Sequence, residues 1–125
     1  MLSILAGFMI SIGAIVYIKI GGLIGAIFFS IGLISIICFK LELFTGKAGL
    51  YSRGEISLEE LIRIWCGNYL GTLLAACGII LTPQGIEIAD AASKIVETRN
   101  GTSFISLVIL GIFCGVLMNT AITGY

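Results

Sequence analysis

An apolar run from Leu23 to Phe39 leads into Leu41-Glu42-Leu43-Phe44-Thr45-Gly46-Lys47, and this junction constrains the fold more than any other stretch. About twenty apolar residues is the length a helix needs to cross a bilayer core of ~30 Å. Glu42, Thr45, Gly46 and Lys47 then interrupt the pattern at the membrane boundary. If the backbone unwinds there, its N–H and C=O groups need partners. Unwinding at membrane depth is tolerated only inside protein or beside a wet cavity. Broken helices of this kind place solute sites at the break. The expectation is a membrane helix interrupted over 41–47, with the rest of the chain as walls around it.

Composition supports a bilayer setting. The chain is 58% hydrophobic and 11% charged, with a mean hydropathy of +1.16, too little polar surface for a soluble domain of 125 residues. Formal net charge is zero, so no nucleic-acid partner is expected. Histidine is absent, and with it the commonest general base and metal ligand. Cys38, Cys66, Cys77 and Cys114 all sit in apolar runs without metal or redox spacing, and they read as small packing residues. No nucleophile–base pair or metal cluster argues for an enzyme, and no cofactor is expected.

Taken in order, the pattern predicts an all-α membrane protein with four transmembrane helices, at about 2–18, 22–40, 58–81 and 104–122, and a single transmembrane domain over 1–125. Gly21-Gly22 makes the first link so short that the first two helices form an antiparallel hairpin. Ala48 to Tyr51 reads as one further turn after the break. Ser57 and Glu60 make a capping box for the third helix, which carries Gly67-Asn68-Tyr69-Leu70-Gly71. Residues 86–97 read as a short amphipathic helix with Asp90 and Lys94 as an i,i+4 pair. Lys47, Arg53 and Arg63 hug helix ends, which favours a cytoplasmic 46–63 loop. Ile4-Leu5-Ala6-Gly7 lines up with Ile112-Phe113-Cys114-Gly115, an expected inverted repeat.

Phe29-Ser30-Ile31-Gly32-Leu33 followed by Leu43-Phe44-Thr45-Gly46 resembles the second helix and Ω-loop of the formate/nitrite transporter family. Ala6-Gly7 with Ile12-Gly13 is similar to its first helix, and Trp65 with Asn68-Tyr69-Leu70-Gly71 to its third. Ala91-Ala92-Ser93-Lys94 and Gly111-Ile112-Phe113-Cys114 resemble motifs before and within its fourth. The resemblance implies an aquaporin-like fold of two inverted helix triplets, assembled as pentamers with a pore in each protomer. It implies passage of small monovalent anions such as formate or nitrite, often with a proton, through a multi-pass protein of the bacterial inner membrane. Phe29, Leu33, Leu43 and Phe44 would line apolar constrictions, Thr45 would offer a hydroxyl to the anion, and Lys94 would give a vestibule its positive field. From the residues themselves, Glu42, Gly46 and Asn68 would support the loop: Glu42 by accepting hydrogen bonds from loop N–H groups, and Asn68 as interhelical glue. The alternatives for Glu42 are a functional carboxylate at membrane depth or one that snorkels to the interface next to Lys40.

Each residue has a plainer reading beside this one. The four apolar residues suit ordinary packing or lipid contact, Thr45 suits a cap on the turn that follows, and Lys94 suits a solvated partner of Asp90. The sequence also departs from the family pattern. Gly115 stands where the family's fourth helix has Asn, and Asn119 lies one turn on. The chain reads as the N-terminal two-thirds of the family: one triplet plus the first helix of the second, without the pore histidine. Two other functions compete with anion transport. One is a small fluoride-type channel, on the strength of Gly21-Gly22-Leu23-Ile24-Gly25-Ala26 and Gly111 to Gly115; the other is a non-transporting membrane interaction protein or inactive fragment.

Overall fold

The computed structural model describes residues 1–123, with side chains as far as residue 121. The described residues form six helices and no strand: α1 (Leu2–Ile20), α2 (Gly22–Cys38), α3 (Phe44–Ser52), α4 (Leu58–Ile80), α5 (Gly85–Asn100) and α6 (Phe104–Thr123). The amphipathic segment therefore runs longer than 86–97, because nothing interrupts its backbone ladder before Gly101. The "further turn" expected after the break is a helix of nine residues that begins at Phe44.

Gly21 and Gly22 both take left-handed backbone, at φ 67° and 57°. A side chain there would be strained, so the glycine pair is what lets α1 reverse into α2 without a longer loop. α1 is the central helix; it packs against α2 on one side and α4 on the other, and it touches α5 near its C-terminal end. The α1–α4 contact is backbone on backbone. A methyl group at Gly7 would overlap the Asn68 backbone, one at Gly67 would overlap Ser3, and one at Gly71 would overlap Ile4. Without a hydrophobic drive between helices in lipid, close packing of this kind is a main source of association, and small residues permit it. The α1–α2 contact is looser: a Cβ at Gly32 would lie 3.1 Å from the Met9 carbonyl oxygen.

Ser57 caps α4 by accepting the Glu60 N–H at 3.2 Å, as its sequence signature predicts. The reciprocal half of the box is absent among the described residues; the Glu60 carboxylate faces Arg63 instead. One cluster of the core consists of Ala6, Ile36 and Leu43, with Met9, Ile10, Leu33, Leu41 and Met118 against it; Leu61, Ile64, Ala75 and Ile88 are also buried.

The outer surface is apolar. Leu23, Ile24, Ile27, Ile31 and Ile34 form an exposed row along α2, and α6 is exposed from Phe104, at 79%, to Leu117, at 71%. Surfaces this apolar are not carried by soluble monomers. α1 and residues 104–121 are long and apolar enough to cross a membrane, while α2 is shorter.

Candidate functional site

The interruption between the apolar helix α2 and α3 lies at Phe39–Leu43, earlier and shorter than the expected 41–47, and helix resumes at Phe44. Its first half is an active helix stop. The Leu41 N–H bonds back to the Ile36 carbonyl at 2.9 Å, and the Lys40 N–H to the Ile37 carbonyl at 3.0 Å. This is the Schellman pattern, and it needs a left-handed residue between the two helices' ends. Lys40 takes that conformation at φ 51°, the position where glycine is usual. Ile36 and Leu41, the apolar pair that accompanies such a stop, meet in the core.

The second half is held from outside by one side chain. Asn68, from the middle of α4, accepts the Phe44 N–H on Oδ1 at 2.8 Å. Its Nδ2 donates to the Glu42 carbonyl at 2.8 Å and to the Ser3 carbonyl at 2.7 Å. One carboxamide thus ties the break to both α4 and the start of α1. The support expected of the Glu42 carboxylate is supplied by Asn68, and Glu42 takes part through its backbone oxygen. The Leu43 carbonyl then accepts from Gly46 at 3.1 Å and Lys47 at 3.0 Å, which is why 44–47 are helical rather than unwound. Gly46, expected in the loop, is a buried residue of the first turn of α3.

Thr45 is not the cap of that turn. The capping position belongs to Leu43, with no side-chain capping bond. Thr72, Thr98, Thr102 and Thr120 each donate their hydroxyl to the carbonyl four residues back. Four residues before Thr45 is Leu41, outside the helix, so that intrahelical acceptor is missing. The Thr45 hydroxyl is exposed and makes no hydrogen bond among the described residues. Its N–H is one of the donors that every helix start leaves unpaired, and Asn68 has already taken the neighbouring one. A helix start also carries partial positive charge. The arrangement therefore presents a hydroxyl and an N–H side by side at the positive end of α3.

The remaining candidates spread along α1, which serves as a ruler. Ser3 is level with the break, and Leu33 and Leu43 meet in the core beside Ala6. Phe29 lies against Gly13. Beyond it, Tyr17 lines an open cleft of about 530 Å³ with Glu87, Asp90 and Lys94. At 1.5 Å per residue, Ser3 to Tyr17 spans roughly 20 Å. Lys94 is thus not brought to Thr45. The Asp90–Lys94 ion pair does not form among the described residues. Lys19 reaches Glu87 instead, because the first turn of α5 packs against the end of α1. Phe44 is half-buried.

Two functional contributions have little signal in the sequence. Ser3 acts through its carbonyl, which any residue would supply. Lys40 adopts a glycine-like conformation with no glycine; the Ile36–Leu41 pair flanking it is the one cue.

No curated protein matches the chain, and no solved structure does. A model of the formate/nitrite transporter family matches residues 1–125, the whole chain. Such a match agrees with the all-helical architecture of the described residues and its apolar helices, and the chain belongs to the formate/nitrite transporter family, a family of membrane channels and transporters.

Proposed function

We propose that the chain passes small monovalent anions such as formate or nitrite along α1 and past the break, with Thr45 as the polar contact. The observation that carries the reading is the donor pair at Thr45, which has no acceptor among the described residues where α3 begins, in a chain of this family. A bare anion loses tens of kcal/mol of hydration in a dry region of low dielectric by the idealised Born picture. A path must replace that hydration or let the anion accept a proton. Phe29, Leu33, Leu43 and Phe44 act as apolar constrictions that favour the neutral acid. Thr45 holds the anion between them through its hydroxyl and N–H. Lys94, some way off near the end of α1, raises the anion concentration before entry.

In this reading α1, the α2–α3 pair, α4 and α6 make four crossings of a bacterial inner membrane. The first three form one triplet, and α6 opens an inverted second one. Five copies assemble, each with its own path, and a proton accompanies the anion. The test is formate or nitrite flux into proteoliposomes, followed by internal pH and swelling. Thr45→Ala is expected to lower flux about tenfold, the worth of one lost hydrogen bond of about 1.4 kcal/mol, and Thr45→Ser to restore it. Equal flux in Thr45→Ala and the unaltered chain overturns the assignment of Thr45.

A second reading has an observation of its own. α6 packs against α3 and exposes apolar side chains from Phe104 to Leu117, a surface suited to another membrane protein. A membrane interaction subunit would show no flux with any anion yet co-purify with a homologous transporter.

A further inference from the structure

Asn68 does more at the break than join helices. It bonds two backbone groups of opposite polarity, the Glu42 carbonyl and the Phe44 N–H, on either side of Leu43. An approaching anion is attracted by an N–H and repelled by a carbonyl oxygen. With Nδ2 on the Glu42 oxygen, the repelling group is occupied. With Oδ1 on the Phe44 N–H, that donor is occupied too, and the adjacent Thr45 N–H and hydroxyl remain. The third bond, to the Ser3 carbonyl, fixes the plane of the carboxamide against α1. α1 and α4 touch backbone to backbone where Gly7 meets Asn68, so the helix that carries the carboxamide is held close to α1.

We propose that Asn68 is a positioning residue: its carboxamide selects Thr45 as the donor pair that meets the anion, by masking the Glu42 carbonyl and the Phe44 N–H. This rests on the anion-transport reading above. Removing the carboxamide uncovers a repelling oxygen and a competing donor, so affinity changes as well as rate. A residue that merely held helices together would change the amount of active protein and leave its affinity alone.

The test uses the full chain in two variants. For Asn68→Ala in proteoliposomes, the concentration of formate giving half-maximal flux is expected to rise at least fivefold, and Thr45→Ala is expected to have a smaller effect in the Asn68→Ala background than in the unaltered chain. Asn68→Asp keeps an acceptor for Phe44 and nearly the same shape, but it loses the donor to Glu42 and adds a charge. Its flux relative to the unaltered chain is expected to rise as pH falls and the carboxyl gains a proton. Alongside, amide exchange of the phenylalanine-labelled chain in micelles reads the clamp without transport. Phe44 is expected to exchange at least tenfold faster in Asn68→Ala and at its original rate in Asn68→Asp. A lowered maximal flux with unchanged half-saturation, or a pH-independent flux ratio for Asn68→Asp, overturns the proposal. Absence of flux in the unaltered chain overturns the transport reading instead. In that event the exchange rates decide the clamp: equal Phe44 exchange in the unaltered chain and Asn68→Ala overturns it.

Discussion

α2 and α3 end in the same way but in different surroundings. At the end of α3, the Glu55 N–H bonds to the Leu50 carbonyl and the Gly54 N–H to the Tyr51 carbonyl, both at 3.0 Å. The pattern repeats the one at Lys40 and Leu41. At the α3 end the left-handed residue is Gly54, at φ 74°, in an exposed loop, and the chain simply leaves the helix. At the α2 end the left-handed residue is Lys40, and a new helix starts three residues after Leu41. The first stop needs only a glycine. The second needs Asn68 as well, because Leu43, between the Glu42 carbonyl and the Phe44 N–H, is buried in the core and its two neighbouring backbone groups find their partner in the Asn68 carboxamide. A helix end is thus a local event in a loop and a tertiary one inside the bundle.

This contrast can be broken by substitution. The largest effect belongs to Asn68→Leu, which removes all three bonds at once. At an average of ~0.6 kcal/mol for a side-chain bond between membrane helices, and more where a group is stranded, the loss is about 2 kcal/mol. It should appear as a lower unfolding midpoint in detergent. No single residue near Gly54 should have a comparable effect. Gly54→Ala places a Cβ in left-handed backbone and should cost about 1 kcal/mol. Lys40→Gly should have the opposite sign and a similar size, about 1 kcal/mol of added stability, because it relieves the same strain at the other stop. Both are read in the same unfolding assay. Lys19→Ala breaks the ion pair with Glu87, whose partners are 42% and 68% exposed, and should shift stability by less than ~0.5 kcal/mol.

The sequence shows that the apolar run of α2 is interrupted near Glu42, but it puts the break at 41–47 rather than 39–43, because Thr45 and Lys47 look like breakers and are helical. It shows the α1–α2 hairpin through Gly21-Gly22 and the start of α4 through Ser57, for these are local stereochemical signals. It does not show that Phe44–Lys47 is helical. Leu43 is no capping residue, and the bond that starts α3 comes from Asn68, 24 positions away. A local window contains no trace of that partner. The same limit misdirects Glu42, whose carboxylate looks like the obvious acceptor for loop N–H groups until a neutral carboxamide arrives from α4. It also explains Lys94: Asp90 is its neighbour on the helix, but the ion pair that forms joins Lys19 and Glu87, 68 positions apart. The candidate residues nearest the break, Leu33, Leu43, Phe44 and Thr45, are close in sequence, and Leu33 and Leu43 meet in the core. Phe29 and Lys94 are spaced out along α1, an arrangement set by helix packing.

In the proposed site α2 ends before α3 begins, and Asn68 leaves Thr45, rather than Phe44, to meet an anion. Backbone NMR of the labelled chain in micelles, followed through a formate titration, tests it most directly. Helical chemical shifts should stop at Cys38 and resume at Phe44, and formate should move the Thr45 amide while the Phe44 amide stays in place. Unbroken helical shifts through 39–47, or a Phe44 amide that moves while Thr45 does not, would contradict it.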